Sequence, residues 1–232
     1  MRGLTTTLVG LIGGPSIAGS LSPRMQNAAF AELGLDWAYV LLPVEGGRVG
    51  AAVRGLADLG FRGANVTIPH KQEAALACDE AEGDSVNTLV VEDGRVLGFN
   101  TDKEIVRGIA AEHVCLIGAG GAAEALLPGL AGEVRQFTRS GAWPPDATGC
   151  DLIVNATPVK DEVLVEPQAD QTVVDLAYRA DGTPTALVAA ALAAGCEVVD
   201  GYEALVRQGA ASLERWTGMS APVEVIRAAV RP

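Results

Sequence analysis

The sequence predicts an α/β fold with parallel strands, and three observations lead to this prediction. Short apolar, β-branched runs alternate with Ala/Leu-rich stretches of helical period, which is typical of successive βαβ units. One such run, residues 113–117, leads directly into a glycine-rich turn and another helical stretch. At 232 residues with 49% hydrophobic content, the chain is long enough for one large domain or two modest ones, each with its own core.

The predicted strands and helices follow from these two kinds of segment, the β-branched runs and the Ala/Leu-rich stretches. The β-branched runs predict strands at 7–12, 38–43, 63–67, 88–92, 113–117, 133–138, 152–155, 172–175 and 197–200. The Ala/Leu-rich stretches predict helices at 23–33, 48–59, 71–77, 103–111, 122–130, 183–194, 202–217 and 221–230. Since the composition does not change sharply along the chain, any domain boundary has to be found from motifs.

The turn after the strand at 113–117 is the clearest local signal. Glycines placed between a strand and a helix allow a tight turn and the close approach of a pyrophosphate to the helix N-terminus. The sequence therefore predicts a dinucleotide-binding turn, and a structural glycine turn without a nucleotide is the alternative. The residues of this turn are Gly118, Ala119, Gly120, Gly121 and Ala122.

The end of the next strand indicates which dinucleotide binds. An NAD-binding fold usually has an acidic residue about 20 residues after the first glycine, where it binds the ribose 2′-hydroxyl. This chain has Thr138, Arg139 and Ser140 there. Because a cation flanked by hydroxyls suits a 2′-phosphate, these residues favour NADP, with NAD as a possible second cofactor.

A second group of polar residues lies upstream. Ser20 and Ser22 precede Pro23, which suits the first turn of a helix. Thr67 ends a predicted strand, and Lys71 follows shortly after it. Ligands of open parallel sheets bind at the carboxyl ends of the strands, so these residues indicate a ligand site. For the serines, helix capping is the alternative.

In chain order, these motifs resemble the shikimate dehydrogenase family over nearly the whole sequence. The matching runs are SLSP from Ser20, NVTIPHK from Asn65, VNT from Val86, NTD from Asn100, GAGGA from Gly118, NAT from Asn155 and DG from Asp200, followed by Gln208 and Trp216-Thr217-Gly218. The resemblance implies an N-terminal open parallel α/β substrate domain at 1–101, completed by the helices of 202–232. Residues 102–201 would then form a Rossmann-like NADP-binding domain.

The resemblance also implies a reaction and its residues. The reaction is reversible hydride transfer between NADPH and the ketone of 3-dehydroshikimate, which gives shikimate. The family pattern assigns substrate binding to Ser20, Ser22, Thr67, Asn87, Tyr178 and Gln208. It assigns further cofactor contacts to Asn155, Ala156, Thr157, Leu176 and Gly201. Lys71 and Asp102 would form the catalytic pair.

The pair of Lys71 and Asp102 also makes chemical sense for such a reaction. Hydride that arrives at a carbonyl carbon leaves negative charge on the oxygen, which a nearby ammonium group stabilises and protonates. Asp102 would position Lys71 and hold it in its charged form. A surface ion pair is the alternative for these two residues, and helix capping is a further one for Asp102.

The chain departs from the family pattern after Arg139. A complete dinucleotide fold continues with a helix and a strand, but only residues 140–151 precede the strand at 152, and they include two prolines and two glycines. We therefore predict a shortened Rossmann-like sheet that lacks one helix–strand unit and has strand 133–138 at its edge. Because that unit normally walls the adenosine end, lower cofactor affinity and lower NADP selectivity are expected.

The composition narrows the classes of partner. A formal net charge of −12 disfavours nucleic acids and anionic membranes, which leaves a small-molecule substrate, shikimate or a close analogue. The four cysteines are far apart and form no cluster with histidines, so we expect neither disulfides nor a metal site. With no signal peptide or long apolar span in view, we expect a cytoplasmic protein. The sequence leaves open whether it is a monomer or a homodimer.

Two alternatives to this function stay open. The same serines, Thr67 and Lys71 would serve any cyclohexene carboxylate of this shape, so a paralogue could act on quinate or on an aminated shikimate analogue. A protein from another class would bind such a ligand without catalysis, because its cofactor site is weakened. The presence of Lys71 and Asp102 argues against that second alternative, since binding alone does not require the pair.

Overall fold

The structure, a computed structural model, describes residues 6–231 and consists of two compact units. The first unit contains the described residues up to Thr101 together with Gly209–Val230, and the second contains Asp102–Gln208 and Arg231. The expected substrate domain of 1–101 and 202–232 differs from the first unit at residues 202–208 and at Arg231, which belong to the second unit.

The described residues form eleven strands and seven α-helices. The strands are β1 (Thr7–Gly13), β2 (Trp37–Pro43), β3 (Phe61–Val66), β4 (Glu80–Ala81), β5 (Thr88–Glu92), β6 (Arg95–Phe99), β7 (His113–Ile117), β8 (Glu133–Phe137), β9 (Leu152–Asn155), β10 (Thr172–Asp175) and β11 (Glu197–Val199). The helices are α1 (Ser22–Glu32), α2 (Val49–Asp58), α3 (Lys71–Ala77), α4 (Gly121–Leu126), α5 (Ala186–Ala194), α6 (Gly201–Thr217) and α7 (Val223–Val230). No helix within 6–231 is both long enough and apolar enough to cross a membrane.

The first unit is built on a six-stranded sheet in the order β2-β1-β3-β5-β6-β4. Strands β2, β1 and β3 are parallel, as the sequence predicts, whereas β5 is antiparallel to both β3 and β6. Strand β6 was not predicted, although its hairpin has a clear signal. Asp93 and Gly94 join β5 to β6 with φ of 51° and 77°, and an Asp-Gly pair is favoured where a tight hairpin turn needs two positive φ angles. The sheet is therefore mixed.

Helix α6 packs on this sheet through Trp216. The indole is buried, and its Nε1 donates a hydrogen bond to the carbonyl oxygen of Leu89 at 2.8 Å. It lies over Gly63, where a Cβ atom would come within 2.6 Å of Nε1 and 2.2 Å of the Leu89 oxygen. Glycine is required at position 63 because the indole occupies the space of a side chain.

The second unit contains a parallel sheet in the order β11-β10-β9-β7-β8. Strand β8 pairs only with β7, and the described residues between Phe137 and Leu152 form neither a helix nor a strand. The prediction of a shortened Rossmann-like sheet with residues 133–138 at its edge is thus confirmed. Residues 156–171 join β9 to β10 without a helix as well, and no helix was predicted there.

Two predicted helices of the second unit are corrected. In place of a helix at 103–111 the structure has only a 3-10 turn at Asp102–Ile105, and Gly108 turns the chain with a φ of 81°. The helix expected at 122–130 consists of α4 and a 3-10 turn at Leu127–Gly129. Pro128 lies in that turn and lacks the N–H that a continuing α-helix would need.

Candidate functional site

A buried hydrogen-bond network joins β3, the start of β5 and α6 in the first unit. The Asn65 Nδ2 atom lies 3.1 Å from the hydroxyl of Thr88 and 2.9 Å from that of Ser212. The Thr88 hydroxyl also lies 2.9 Å from the hydroxyl of Thr101. All four residues are buried, so these polar groups satisfy one another and fix the local backbone. Thr88 and Thr101 lie in the family motifs, but no role was predicted for them or for Ser212.

The network holds Asn87 in place. Its Oδ1 atom accepts hydrogen bonds from the backbone N–H of Thr101 at 2.7 Å and from the Thr101 hydroxyl at 3.0 Å. Its backbone carbonyl accepts a hydrogen bond from Val66 N at 2.9 Å. These contacts fix the orientation of the Asn87 amide, whose nitrogen is a hydrogen-bond donor.

The two predicted serines differ in their surroundings. Ser22 is buried and forms a hydrogen bond with the hydroxyl of Tyr39, which donates to Asn65 Oδ1 at 2.8 Å. Burial raises the pKa of Tyr39, against a smaller opposing effect of Ser22, so the phenol stays protonated and able to donate. Ser20 is half-buried, and its Oγ accepts a hydrogen bond from Ser22 N at 3.2 Å. Helix α1 has Leu21 at its N-cap and no side-chain capping bond there, so this contact is a local turn rather than the helix cap that the sequence left as an alternative.

The turn between β3 and α3 carries Thr67 and Lys71. The carbonyl oxygen of Thr67 accepts a hydrogen bond from His70 N at 3.0 Å, and the buried His70 ring has Nε2 at 2.9 Å from the Val44 carbonyl. Lys71 is the first residue of α3, and its carbonyl accepts a hydrogen bond from Val86 N at 3.2 Å. The backbone from which the Lys71 side chain extends is therefore held at several points.

Three other predicted residues lie in the second unit. Asp102 opens the 3-10 turn Asp102–Ile105 and directly follows the buried Thr101 in the chain. Gln208 is half-buried on α6, with Nε2 donating to the Leu205 carbonyl at 2.9 Å. Tyr178 follows β10 and lines a cavity of about 210 Å³ at the carboxyl ends of β10 and β11.

A larger cavity, of about 560 Å³, lies in the second unit at the carboxyl ends of β7, β8 and β9. We call it the glycine-turn cavity. Its predicted lining residues are Gly118, Ala119, Gly120, Thr138, Arg139, Ser140 and Thr157. Its other lining residues, none of which was predicted, are Phe137, Trp143, Pro158 and Val159. The volume is in the range of small-molecule sites, roughly 300–1,000 Å³.

Gly118 shows why this turn needs glycine. Its φ is 113°, which side-chain-bearing residues rarely adopt, and a Cβ atom would come within 3.2 Å of the Ala156 oxygen. Its N–H donates to the Phe137 carbonyl at 2.9 Å. The turn thus brings the backbone after β7 close to the segments that follow β8 and β9.

Arg139 lies between an aromatic ring and a carboxylate at the edge of this cavity. Its guanidinium carbon is 5.4 Å from the centroid of the Trp143 ring. Its Nη2 atom is 3.7 Å from Oε2 of Glu162, and both side chains are exposed. The cavity therefore has a cation at its edge that a nearby anion partly neutralises.

Asn155 does not line the glycine-turn cavity, and its role as a cofactor contact stays a prediction. It is fully buried, with Nδ2 donating to Asp175 Oδ1 at 2.8 Å and Oδ1 accepting from the Thr157 N–H at 3.0 Å. Burial raises the pKa of Asp175, while hydrogen bonds from Thr185, the Ala177 N–H and Asn155 act against this shift. Asn155 therefore positions Thr157, which does line the cavity.

The remaining predicted cofactor residues also lie outside the lining of this cavity. They are Gly121, Ala122, Ala156, Leu176 and Gly201. Gly121 and Ala122 begin α4, directly after the lining residue Gly120. Gly201 begins α6 and lines the smaller cavity with Tyr178. A Cβ atom at Gly201 would come within 2.6 Å of the Ala177 oxygen, so this glycine permits a close approach of two backbones.

Comparison with known proteins gives family matches in two parts of the chain. The family model described as "Shikimate dehydrogenase substrate binding domain" matches residues 11–89. The model described as "Shikimate 5'-dehydrogenase C-terminal domain" matches residues 201–231. The first match contains the turn with Thr67 and Lys71, and the second contains Gln208.

Whole-chain relatives were found as well. The shikimate dehydrogenase (NADP(+)) of Methanopyrus kandleri is 38% identical over 278 residues, covering 97% of this chain and 95% of the relative. Since that alignment is longer than the 232-residue chain, the relative has segments without a counterpart here.

Two solved structures resemble this one over almost their entire length. A shikimate dehydrogenase in complex with NADP+ has a TM-score of 0.88 and 30% identity, covering 99% of this chain and 96% of that one. The shikimate 5-dehydrogenase of Thermus thermophilus, in complex with NADP(H) and shikimate, has a TM-score of 0.83 and 26% identity, covering 97% of this chain and 98% of that one.

Proposed function

Because the chain belongs to the shikimate dehydrogenase family, we propose that it is an enzyme that reduces 3-dehydroshikimate reversibly to shikimate with NADPH. The observation that carries this proposal is the whole-chain match to an NADP(+)-dependent shikimate dehydrogenase at 38% identity. The presence of four residues of the family pattern supports it. The pattern assigns Thr67 and Asn87 to substrate binding, and Lys71 and Asp102 to catalysis.

The second unit fits NADP as the cofactor. The glycine-turn cavity is lined by backbone that approaches closely at Gly118, as a pyrophosphate requires. Arg139 at its edge suits a 2′-phosphate, and the hydroxyls of Thr138 and Ser140 flank it. When bound, NADP(H) supplies or accepts the hydride.

Lys71 is the proposed proton donor. In the direction of reduction its ammonium group gives a proton to the ketone oxygen of the substrate as that oxygen becomes a hydroxyl, and in the other direction the neutral amine takes the proton back. The held backbone of the turn limits the positions that the ammonium group can reach. Asp102 is the proposed carboxylate that keeps Lys71 charged and oriented.

The other proposed substrate contacts are hydroxyl and amide groups. They are Ser20, Ser22, Thr67, Asn87, Tyr178 and Gln208. Such groups recognise the hydroxyls and the carboxylate of shikimate by hydrogen bonding. We also propose that the protein is cytoplasmic and is either a monomer or a homodimer. Sedimentation of the purified protein would distinguish these two oligomeric states.

A panel of substrates tests this proposal. The appearance of NADPH is followed by absorbance for shikimate, quinate and an amino analogue of shikimate, each with NADP+ and with NAD+. We expect the highest kcat/KM for shikimate with NADP+. Preference for quinate or the amino analogue would assign the chain to a paralogue, and binding of shikimate without turnover would favour a non-catalytic protein.

Arg139→Ala is expected to raise the Kd for NADP+ about tenfold and to leave the Kd for NAD+ unchanged, because only the former has a phosphate for the guanidinium to bind. Isothermal calorimetry measures both constants. Equal Kd values for NADP+ and NAD+ in the unaltered protein would contradict this role of Arg139.

Glu162→Gln is expected to have the opposite effect and to lower the Kd for NADP+ about two- to fivefold, since the carboxylate competes with the 2′-phosphate for Arg139. The same calorimetric titration serves, and the effect should shrink at high salt because both side chains are exposed. Glu166→Gln is the control, because it removes a carboxylate from the same 156–171 segment. An equal fall of the Kd for NADP+ in Glu166→Gln would mean that the change in net charge explains the effect, and that competition for Arg139 does not.

A further inference from the structure

The chain replaces the missing helix–strand unit with an ordered loop, residues 138–151. Its first part is closed by a hydrogen bond from Thr138 N to the Ala142 carbonyl at 3.1 Å. Its last part is held from two sides. Arg135 of β8 donates to the Thr148 carbonyl at 2.5 Å, and the buried Gln171 donates to the carbonyls of Ala147 at 3.1 Å and of Cys150 at 2.9 Å. The loop is therefore fixed in place without secondary structure.

Trp143 is the residue that this loop presents to the glycine-turn cavity. Its side chain lines the cavity and is 39% exposed, a large apolar surface to leave in water. The ring lies beside Arg139, whose guanidinium carbon is 5.4 Å from the ring centroid. The two other tryptophans of the chain, Trp37 and Trp216, belong to the first unit.

We infer that Trp143 is the stacking surface for the adenine of NADP and takes the place of the missing wall. This inference rests on the proposed function in taking NADP as the ligand. The adenine is attached to the same ribose as the 2′-phosphate, so a base whose phosphate is bound by Arg139 lies within reach of the neighbouring indole. A flat aromatic ring suits this task because every base has a π face to stack on it.

The test uses adenosine 2′,5′-bisphosphate, which has the adenine and the 2′-phosphate but no nicotinamide. Calorimetry gives its Kd for the unaltered protein and for three variants. Trp143→Ala should weaken binding about tenfold, whereas Trp143→Phe, which keeps an aromatic face, should weaken it less than about threefold. Leu127→Ala is the matched control because Leu127 is also exposed in the second unit but does not line the cavity. It should leave the Kd unchanged.

Tryptophan fluorescence gives a second readout. Adenosine 2′,5′-bisphosphate should quench the emission of the unaltered protein, and this quenching should disappear in Trp143→Phe, which keeps Trp37 and Trp216. The inference is overturned if the alanine variant binds as tightly as the unaltered protein, if the phenylalanine variant still shows the full quenching, or if the unaltered protein does not bind the probe.

These outcomes are separate from those of the proposed reaction. Weakened binding in Trp143→Ala together with no oxidation of shikimate would sustain the role of Trp143 and overturn the reaction. Unchanged binding in that variant together with normal turnover would sustain the reaction and overturn the role of Trp143.

Discussion

Replacing Lys71 by alanine is expected to lower kcat for shikimate oxidation about a thousandfold, because a positioned acid–base group contributes roughly 10²–10⁴ to the rate. The Kd for NADP+ should stay within about twofold, since the predicted cofactor contacts lie in other parts of the chain. The fold should also be kept, because backbone hydrogen bonds and the contact of His70 with the Val44 carbonyl stay in place in the variant.

Lys71→Arg is the informative companion of the alanine variant. Arginine keeps the positive charge but cannot release its proton at ordinary pH, so we expect a near-normal KM for shikimate with kcat as low as in the alanine variant. Steady-state kinetics across pH measure both parameters. A kcat near that of the unaltered protein in either variant would remove Lys71 from proton transfer.

Gly63→Ala is expected to lower the free energy of unfolding by about 3 kcal/mol, the upper range for overpacking a tight core. The added methyl group would meet the Leu89 carbonyl at 2.2 Å and Trp216 Nε1 at 2.6 Å. The hydrogen bond between those two groups cannot persist unless β3 or α6 moves. Urea denaturation, followed by circular dichroism, measures the change.

Gly55→Ala is the matched control for this variant. Gly55 lies within α2 of the same unit, and a Cβ atom there would meet no heavy atom within 4 Å. Because alanine favours a helix over glycine by about 1 kcal/mol, this change should be neutral or stabilising. If both variants unfolded at the same urea concentration, the packing of Trp216 on Gly63 could not have the importance assigned to it.

The sequence predicts well those strands that can be recognised from their own residues and the residues next to them. Strands β5, β7, β9 and β10 have the predicted bounds, because each is a β-branched run with polar or glycine residues at its ends. The edge position of β8 followed from chain length alone, since residues 140–151 are too few for a crossover helix and a strand. The number of residues was sufficient for this prediction, because a short segment cannot span a crossover helix and form a further strand as well.

One prediction failed because a local helical pattern did not determine the backbone conformation. The segment at 103–111 has helical composition, but Gly108 adopts a φ of 81° and the segment turns instead. The polar network of Asn65, Thr88, Thr101 and Ser212 was missed for another reason. Ser212 is separated from Asn65 by 147 positions, and nothing near either residue indicates that they meet.

Some residues of the candidate site could also be predicted from sequence motifs, whereas others could not. Gly118 and Arg139 could be predicted as cavity residues, because the glycine turn and the strand after it form a motif with fixed spacing. Asn155 belongs to a motif too, but only the structure reveals that its side chain faces Asp175 and Thr157. Trp143 lies in a segment peculiar to the shortened sheet, so no family motif pointed to it.

The most direct test of the whole account is the conversion of 3-dehydroshikimate by the purified protein with NADPH, with the product identified by chromatography. We expect shikimate to form in an amount equal to the NADPH consumed, which would show that a sheet lacking one helix–strand unit suffices for catalysis. If 3-dehydroshikimate and NADPH both bound and neither was consumed, the proposed reaction would be wrong, and the chain would be a binding protein of this fold.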